Sequence, residues 1–225
     1  MKTIGKLVKD WETKDTRNAA KASGISMMAL SLAACGGGGG SAPAPVVVVE
    51  AVPITSALTI WNDTVAGTTA DDVVTGARID TVQVFNSGDS IVLGDGNDSL
   101  SATLNAGTVT PVAMTGVENV MFTVLGDATV DFDNVSGVTS IISRGSSATL
   151  LVDDIQEIPT SISINNNTAV QTFVVKDTAV SGNTDSITLN FDGVGGVVNV
   201  GGETDGDGDI ETFIIVASAG GSDLG

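Results

Sequence analysis

The chain has 225 residues, 42% hydrophobic and only 4% aromatic, with 9 basic residues against 27 acidic ones and a net charge of −18. It has no histidine and one cysteine. This excludes Ser/His/Asp and Cys/His nucleophilic arrangements, a zinc site of the His/Cys type and any disulfide within the chain. Such a charge repels nucleic acid, so no nucleic-acid partner is expected, and it attracts cations.

The charge is unevenly placed. Six of the nine basic residues (Lys2, Lys6, Lys9, Lys14, Arg17, Lys21) and three of the acidic ones precede Cys35, leaving Arg78, Arg144 and Lys176 against 24 carboxylates, a net charge of −21. Residues 24–34 form a short apolar run ending in Leu32-Ala33-Ala34-Cys35, and Gly36 to Gly40 follow at once. A basic leader, an apolar run too short to span a bilayer and a small-residue site before cysteine are the anatomy of a bacterial lipoprotein signal. The expectation is a signal peptide over 1–34 and a lipidated Cys35. Residues 35–53 then make a Gly/Ala/Pro tether, and the mature protein sits at the cell surface or outer membrane, held to the envelope by its lipid. The alternative is an amphipathic N-terminal helix, since Ile4, Leu7, Val8 and Trp11 recur at helical spacing.

From Ile54 onward, short alternating stretches rich in Val, Ile and Thr are separated by Gly, Asn, Asp and Ser about every ten residues, the pattern of many short strands. Gly116-Val117-Glu118-Asn119-Val120-Met121-Phe122 is echoed by Gly137 to Ser143 and more loosely by Ile158 to Ile164. A second strand-like segment follows each: Ala128 to Phe132, Ala148 to Val152, and Ala169 to Val175. A period near 20 residues with two strands per unit predicts an all-β parallel β-helix, a solenoid over 54–225, with Asn165-Asn166-Asn167 at a corner. An antiparallel β-sandwich is the alternative. Phe122, Phe132, Phe173 and Phe213 fall within strand patterns and are expected in the core.

Two acidic turns carry the chemistry. Leu93-Gly94-Asp95-Gly96-Asn97-Asp98-Ser99-Leu100-Ser101 matches the nonapeptide Gly-Gly-x-Gly-x-Asp-x-U-x, with U a large apolar residue, at every fixed position but the first. Its glycines let carbonyls turn toward a cation and its Asp closes the site; calcium, which takes six to eight oxygens in loose geometry, suits it. Gly67-Thr68-Thr69-Ala70-Asp71-Asp72-Val73-Val74 reads as a degenerate copy with Ala70 at the second glycine. In the second turn, Gly201 to Glu211, Asp205, Asp207 and Asp209 alternate as in half an EF-hand loop, but Ile210 stands where that loop needs glycine and no Glu closes it. The expected metal residues are therefore Asp71, Asp72, Gly94, Asp95, Gly96, Asn97, Asp98, Asp205, Asp207 and Asp209. The competing reading is a solvated acidic loop that uses Gly and Asp for turn geometry.

On these residues the chain resembles the RTX calcium-binding repeat family, and in Gly116-Val117-Glu118-Asn119-Val120 it is similar to the surface-layer (S-layer) proteins built on β-solenoids. The resemblance implies a non-enzymatic, calcium-stabilised surface protein, S-layer-like or adhesin-like, able to self-associate into arrays. A surface polysaccharide lyase or hydrolase and a glycan-binding adhesion module remain alternatives. Against catalysis, Arg78, Arg144 and Lys176 read as charges that relieve local acidity, and the body has no Tyr and only Trp61 as a glycan platform. Another acidic turn begins at Gly220, so the expectation is either that the sequence is a fragment of a longer chain, truncated at its C-terminus, or that this open end pairs with another molecule.

Overall fold

The computed structural model describes residues 50–182, 184–204 and 210–218. The leader, Cys35, the tether up to residue 49, the carboxylates of Asp205, Asp207 and Asp209 and the turn from Gly220 lie outside the described residues. Glu50 to Pro53 are exposed and lead into the first strand.

The chain then winds in coils. The first holds β1 (Thr55–Ala57) and β2 (Thr64–Ala66), and the second β3 (Val73–Gly76) and β4 (Ser90–Val92). The third holds β5 (Ser99–Leu104), β6 (Gly107–Val109) and β7 (Ala113–Thr115), and the fourth β8 (Asn119–Val124), β9 (Ala128–Asp131) and β10 (Val135–Ser136). Next come β11 (Ser140–Arg144) with β12 (Leu150–Ile155), β13 (Ser161–Asn165) with β14 (Gln171–Val175), β15 (Ser186–Asp192) with β16 (Val198–Gly202), and finally β17 (Thr212–Ala217). The strands stack into three sheets: an eight-stranded one in the order β1-β3-β5-β8-β11-β13-β15-β17, a five-stranded one β16-β14-β12-β9-β6, and a four-stranded one β10-β7-β4-β2. Every strand pairs in parallel with its counterpart one coil away, and the one antiparallel bridge among the described residues, Ile79 to Val82, lies in a turn. The protein is a β-solenoid of about seven turns, with coils of about 22 residues and no helix among the described residues. The parallel ladders exclude the antiparallel sandwich.

Side-chain alternation explains why these sequences form strands. In β8, Val120, Phe122 and Val124 are fully buried while Asn119, Met121 and Thr123 face outward. Strict register stacks the inward residues into columns such as Val74, Leu100, Val120, Ile141, Ile162 and Leu189, so each coil buries its apolar edge against its neighbours. The period is looser than expected. Paired positions advance by 18, 26, 20, 21, 21 and 27 residues from Thr55 through Val73, Ser99, Asn119, Ser140 and Ser161 to Thr188, because loops after β3 and β14 lengthen two coils. One repeat alignment also shifts. Ala128 pairs with Leu150 and not with Ala148, a slip of two residues, and two is the period that keeps inward side chains inward.

Three of the four phenylalanines lie in the core as expected: Phe122, Phe132 and Phe173 are at most 1% exposed. Phe213 is not. It pairs with the inward Ile187 but is 41% exposed, because β17 is the outermost strand of its sheet and no described coil covers its inner face.

The asparagine corner forms, and it is more than a turn. Asn166 takes a left-handed backbone conformation, with φ 55°. Asn167 is fully buried; its Oδ1 accepts the Ser146 N–H at 2.9 Å and its Nδ2 donates to Ser143 Oγ at 2.8 Å. Ser143 Oγ donates to Gln171 Oε1 at 2.7 Å, and Ser146 Oγ, 3.0 Å from Ser143 Oγ, accepts the Val124 N–H. These four buried side chains tie successive coils together. Asn167→Ala strands the Ser146 N–H and is expected to cost about 1–3 kcal/mol, read as a lower urea midpoint with unchanged slope.

Candidate metal centre

Two of the expected motifs stack on each other. Val73 pairs with Ser99, so the degenerate turn at Gly67 to Val74 lies in phase beneath Gly94 to Leu100, Asp72 below Asp98 and Asp71 below Asn97. In both coils six residues connect the four-stranded sheet to the eight-stranded one, 67–72 and 93–98, whereas in the next two coils three residues suffice, 116–118 and 137–139. The paired wide corners depend on glycine. Gly94 and Gly96 have φ of 97° and 137°, and a Cβ on either would lie 2.6 Å from the Thr68 carbonyl or 2.7 Å from that of Ala70.

The corner acids form a directional ladder. Asp72 Oδ1 accepts the Ile54 N–H at 2.7 Å, Asp98 Oδ1 accepts the Asp72 N–H at 2.6 Å, and Glu118 Oε2 accepts the Asp98 N–H at 2.7 Å. The same bond recurs toward the other end of the stack, where Glu211 Oε2 accepts the Asp185 N–H at 2.9 Å.

Charge at the corner is poorly compensated. Asp72 is fully buried, and burial would push its carboxyl up, but the N–H groups of Ile54 and Thr68 and the Thr68 hydroxyl outweigh this and hold it below the ordinary value. Asp98 is also fully buried. Burial pushes its carboxyl up, the Asp72 N–H offsets this only in part, and the charges of Asp72, Glu118 and Asp71 push the same way as burial. Its second oxygen, Oδ2, is buried with no hydrogen-bond partner. Asn97 joins the group through its N–H to Asp71 Oδ1 at 2.9 Å and its Oδ1, which accepts from Asn119 Nδ2 at 2.8 Å. Of the expected metal residues, the corner thus brings together Asp71, Asp72, Asn97 and Asp98, with Gly94 and Gly96 shaping the turn. Asp95 is exposed, and Glu118, not among the expected residues, joins them.

A second acidic group was missed from the sequence. Carboxylate oxygens of Asp131, Asp133 and Asp154 lie within 4.8 Å of one another and could hold a metal ion. Lys176 Nζ already lies 2.7 Å from Asp133 and 3.5 Å from Asp154, so here an ammonium supplies the positive charge. This agrees with the reading of Lys176 as a charge that relieves local acidity. The available signal was the clustering of acids at and just past the end of β9, Asp131 and Asp133, and in β12, Asp153 and Asp154, with Asp131 and Asp153 register partners. No family model matches the chain, and no curated protein and no solved structure matches it.

Proposed function

We propose that the protein is a non-enzymatic, calcium-stabilised structural component of a bacterial cell surface, S-layer-like or adhesin-like, anchored through a lipid on Cys35. One observation carries the calcium reading: Asp98 Oδ2 is buried without a partner inside a group of four acids, Asp71, Asp72, Asp98 and Glu118. A buried carboxylate oxygen left without a donor is costly, and a divalent cation removes that cost while cancelling the repulsion around it. Asp98 would bind the ion through Oδ2, and the carboxylates of Asp71 and Glu118 would have to draw in around it, because among the described residues only Asp131, Asp133 and Asp154 already bring three carboxylates within 4.8 Å of one another. Calcium, which accepts oxygen ligands in loose geometry, suits such a site. The lipid anchor rests on Leu32-Ala33-Ala34-Cys35 alone.

Thermal unfolding tests the reading. Extracellular calcium modules have dissociation constants of roughly 10⁻⁴ to 10⁻³ M. One site held tenfold above its constant adds about 1.4 kcal/mol, which in a domain of this size raises the melting temperature by about 3–6 °C. A melting temperature indifferent to both 10 mM calcium, roughly ten times the weaker constant, and excess chelator would sink it. A glycan-binding role has one observation behind it, Trp61, which is 74% exposed. Saturable binding to a polysaccharide, lost in Trp61→Ala, would favour that role.

A further inference from the structure

We propose that the outer face of the eight-stranded sheet is a self-association surface, on which a second copy packs face to face about a two-fold axis parallel to the solenoid. This deepens the S-layer-like reading proposed above, on which it rests.

The first observation is charge. From Cys35 onward the chain carries −21, yet the eight strands of this sheet contain only two charged residues, Arg144 and Asp192. Two copies of so acidic a protein repel each other at most approaches. This face is an exception, because its outward positions are Ser, Thr, Asn and apolar residues. The second observation is the arrangement of those positions. Met121 and Ile142 are register partners, half-buried and central, flanked along their column by Ser101 and Ser163. An apolar centre within a neutral polar rim is the anatomy of a protein interface. The third is size. Eight strands at about 4.8 Å and about five residues at 3.3 Å give a face of about 600 Å² per copy. The two copies together then bury about 1,200 Å², at the lower bound of specific interfaces.

Charge also selects the symmetry. Acids gather where the chain enters these strands, at Asp71, Asp72, Asp98 and Glu118, whereas the opposite side carries both basic residues, Arg144 at the end of β11 and Arg78 after β3, beside Asp192 and Asp80. A two-fold axis along the strands would set acid corner over acid corner. An axis along the solenoid reverses the strands of the second copy and keeps the coils level, so that Arg144 of each copy faces the Glu118 side of the other and Arg78 faces the Asp71 side. Arg144 is exposed and makes no salt bridge among the described residues, so it is available for this.

The test uses the full chain carrying Cys35→Ser, with calcium and separately with excess chelator, in analytical ultracentrifugation. A dimer is expected at micromolar concentration, tightening as salt screens the overall repulsion. Ile142→Asp, with unchanged circular dichroism, is expected to give a monomer, and Arg144→Glu to weaken the dimer at least tenfold. In the same background Ile142→Cys is expected to cross-link through a short bismaleimide, whereas Leu151→Cys, facing outward on the five-stranded sheet, is not. A monomer at all concentrations and salts overturns the proposal, as does a dimer indifferent to Ile142→Asp or equal cross-linking at both cysteines. So does a monomer whose saturable glycan binding is lost in Ile142→Asp, which would assign the face to a glycan. Failure of the calcium reading would appear in the melting curves, and the dimer would then form alike with calcium and with chelator.

Discussion

Phe122→Ala is expected to lower the unfolding free energy by about 3–5 kcal/mol and the melting temperature by about 10 °C. Phe122 is fully buried, and its register partners above and below are small, Ala102 and Ser143. Its ring stacks on Phe85, with centroids 6.3 Å apart. Neither Ala102 nor Ser143 can expand into the space a missing ring leaves, and the β-ladders on both sides prevent the coils from closing on it. Urea denaturation checks the value. A loss below about 1 kcal/mol, the level of an ordinary substitution, would mean that the middle coils are loosely packed.

The second prediction separates the calcium site from a merely acidic corner. Asp98→Asn is expected to leave the calcium-free protein as stable as the parent or more stable, while abolishing the gain from calcium. At a hundredfold excess over the dissociation constant that gain is about 2.7 kcal/mol, readable as a difference between melting curves with and without the ion. The sign follows from the carboxyl's raised position. Below the unfolded value, near 3.9, both states hold the proton and the group is neutral to stability. As pH rises the unfolded carboxyl ionises first, so the stability this group contributes falls through the interval up to the raised folded value and is lowest at neutral pH. Removing the charge therefore relieves the calcium-free fold. Undiminished calcium stabilisation of the variant would place the ion elsewhere, the Asp131, Asp133 and Asp154 group being the next candidate.

The solenoid was legible in the sequence because burial in a stacked coil is repetitive. Asn119 to Val124, Ser140 to Arg144 and Ser161 to Asn165 each had to present apolar residues at alternate positions to the same core. Coil length was less legible, since the loops after β3 and β14 lengthen their coils without a periodic mark, although Val84, Phe85 and Val180 in them are buried in the core. The nonapeptide located the acidic corner, and its in-phase partner at Gly67 followed from the same spacing. What no local pattern could supply was Glu118, which joins the corner only because the next coil turns in three residues, or the meeting of Lys176 with Asp133, 43 positions apart. Phe213 was misread for a related reason: strand pattern assigns a side to a residue, but whether that side is covered depends on the next coil.

The acid ladder gives the stack a direction. Asp72, Asp98 and Glu118 each accept the N–H of a residue one coil nearer the N-terminus, so a coil's open donor is closed only when its successor arrives. If the first four coils form in order from the N-terminus, each new turn there closes the open donor of the one before it. Growth in that sense resembles a ratchet, with each carboxylate as the pawl that makes the preceding turn harder to undo.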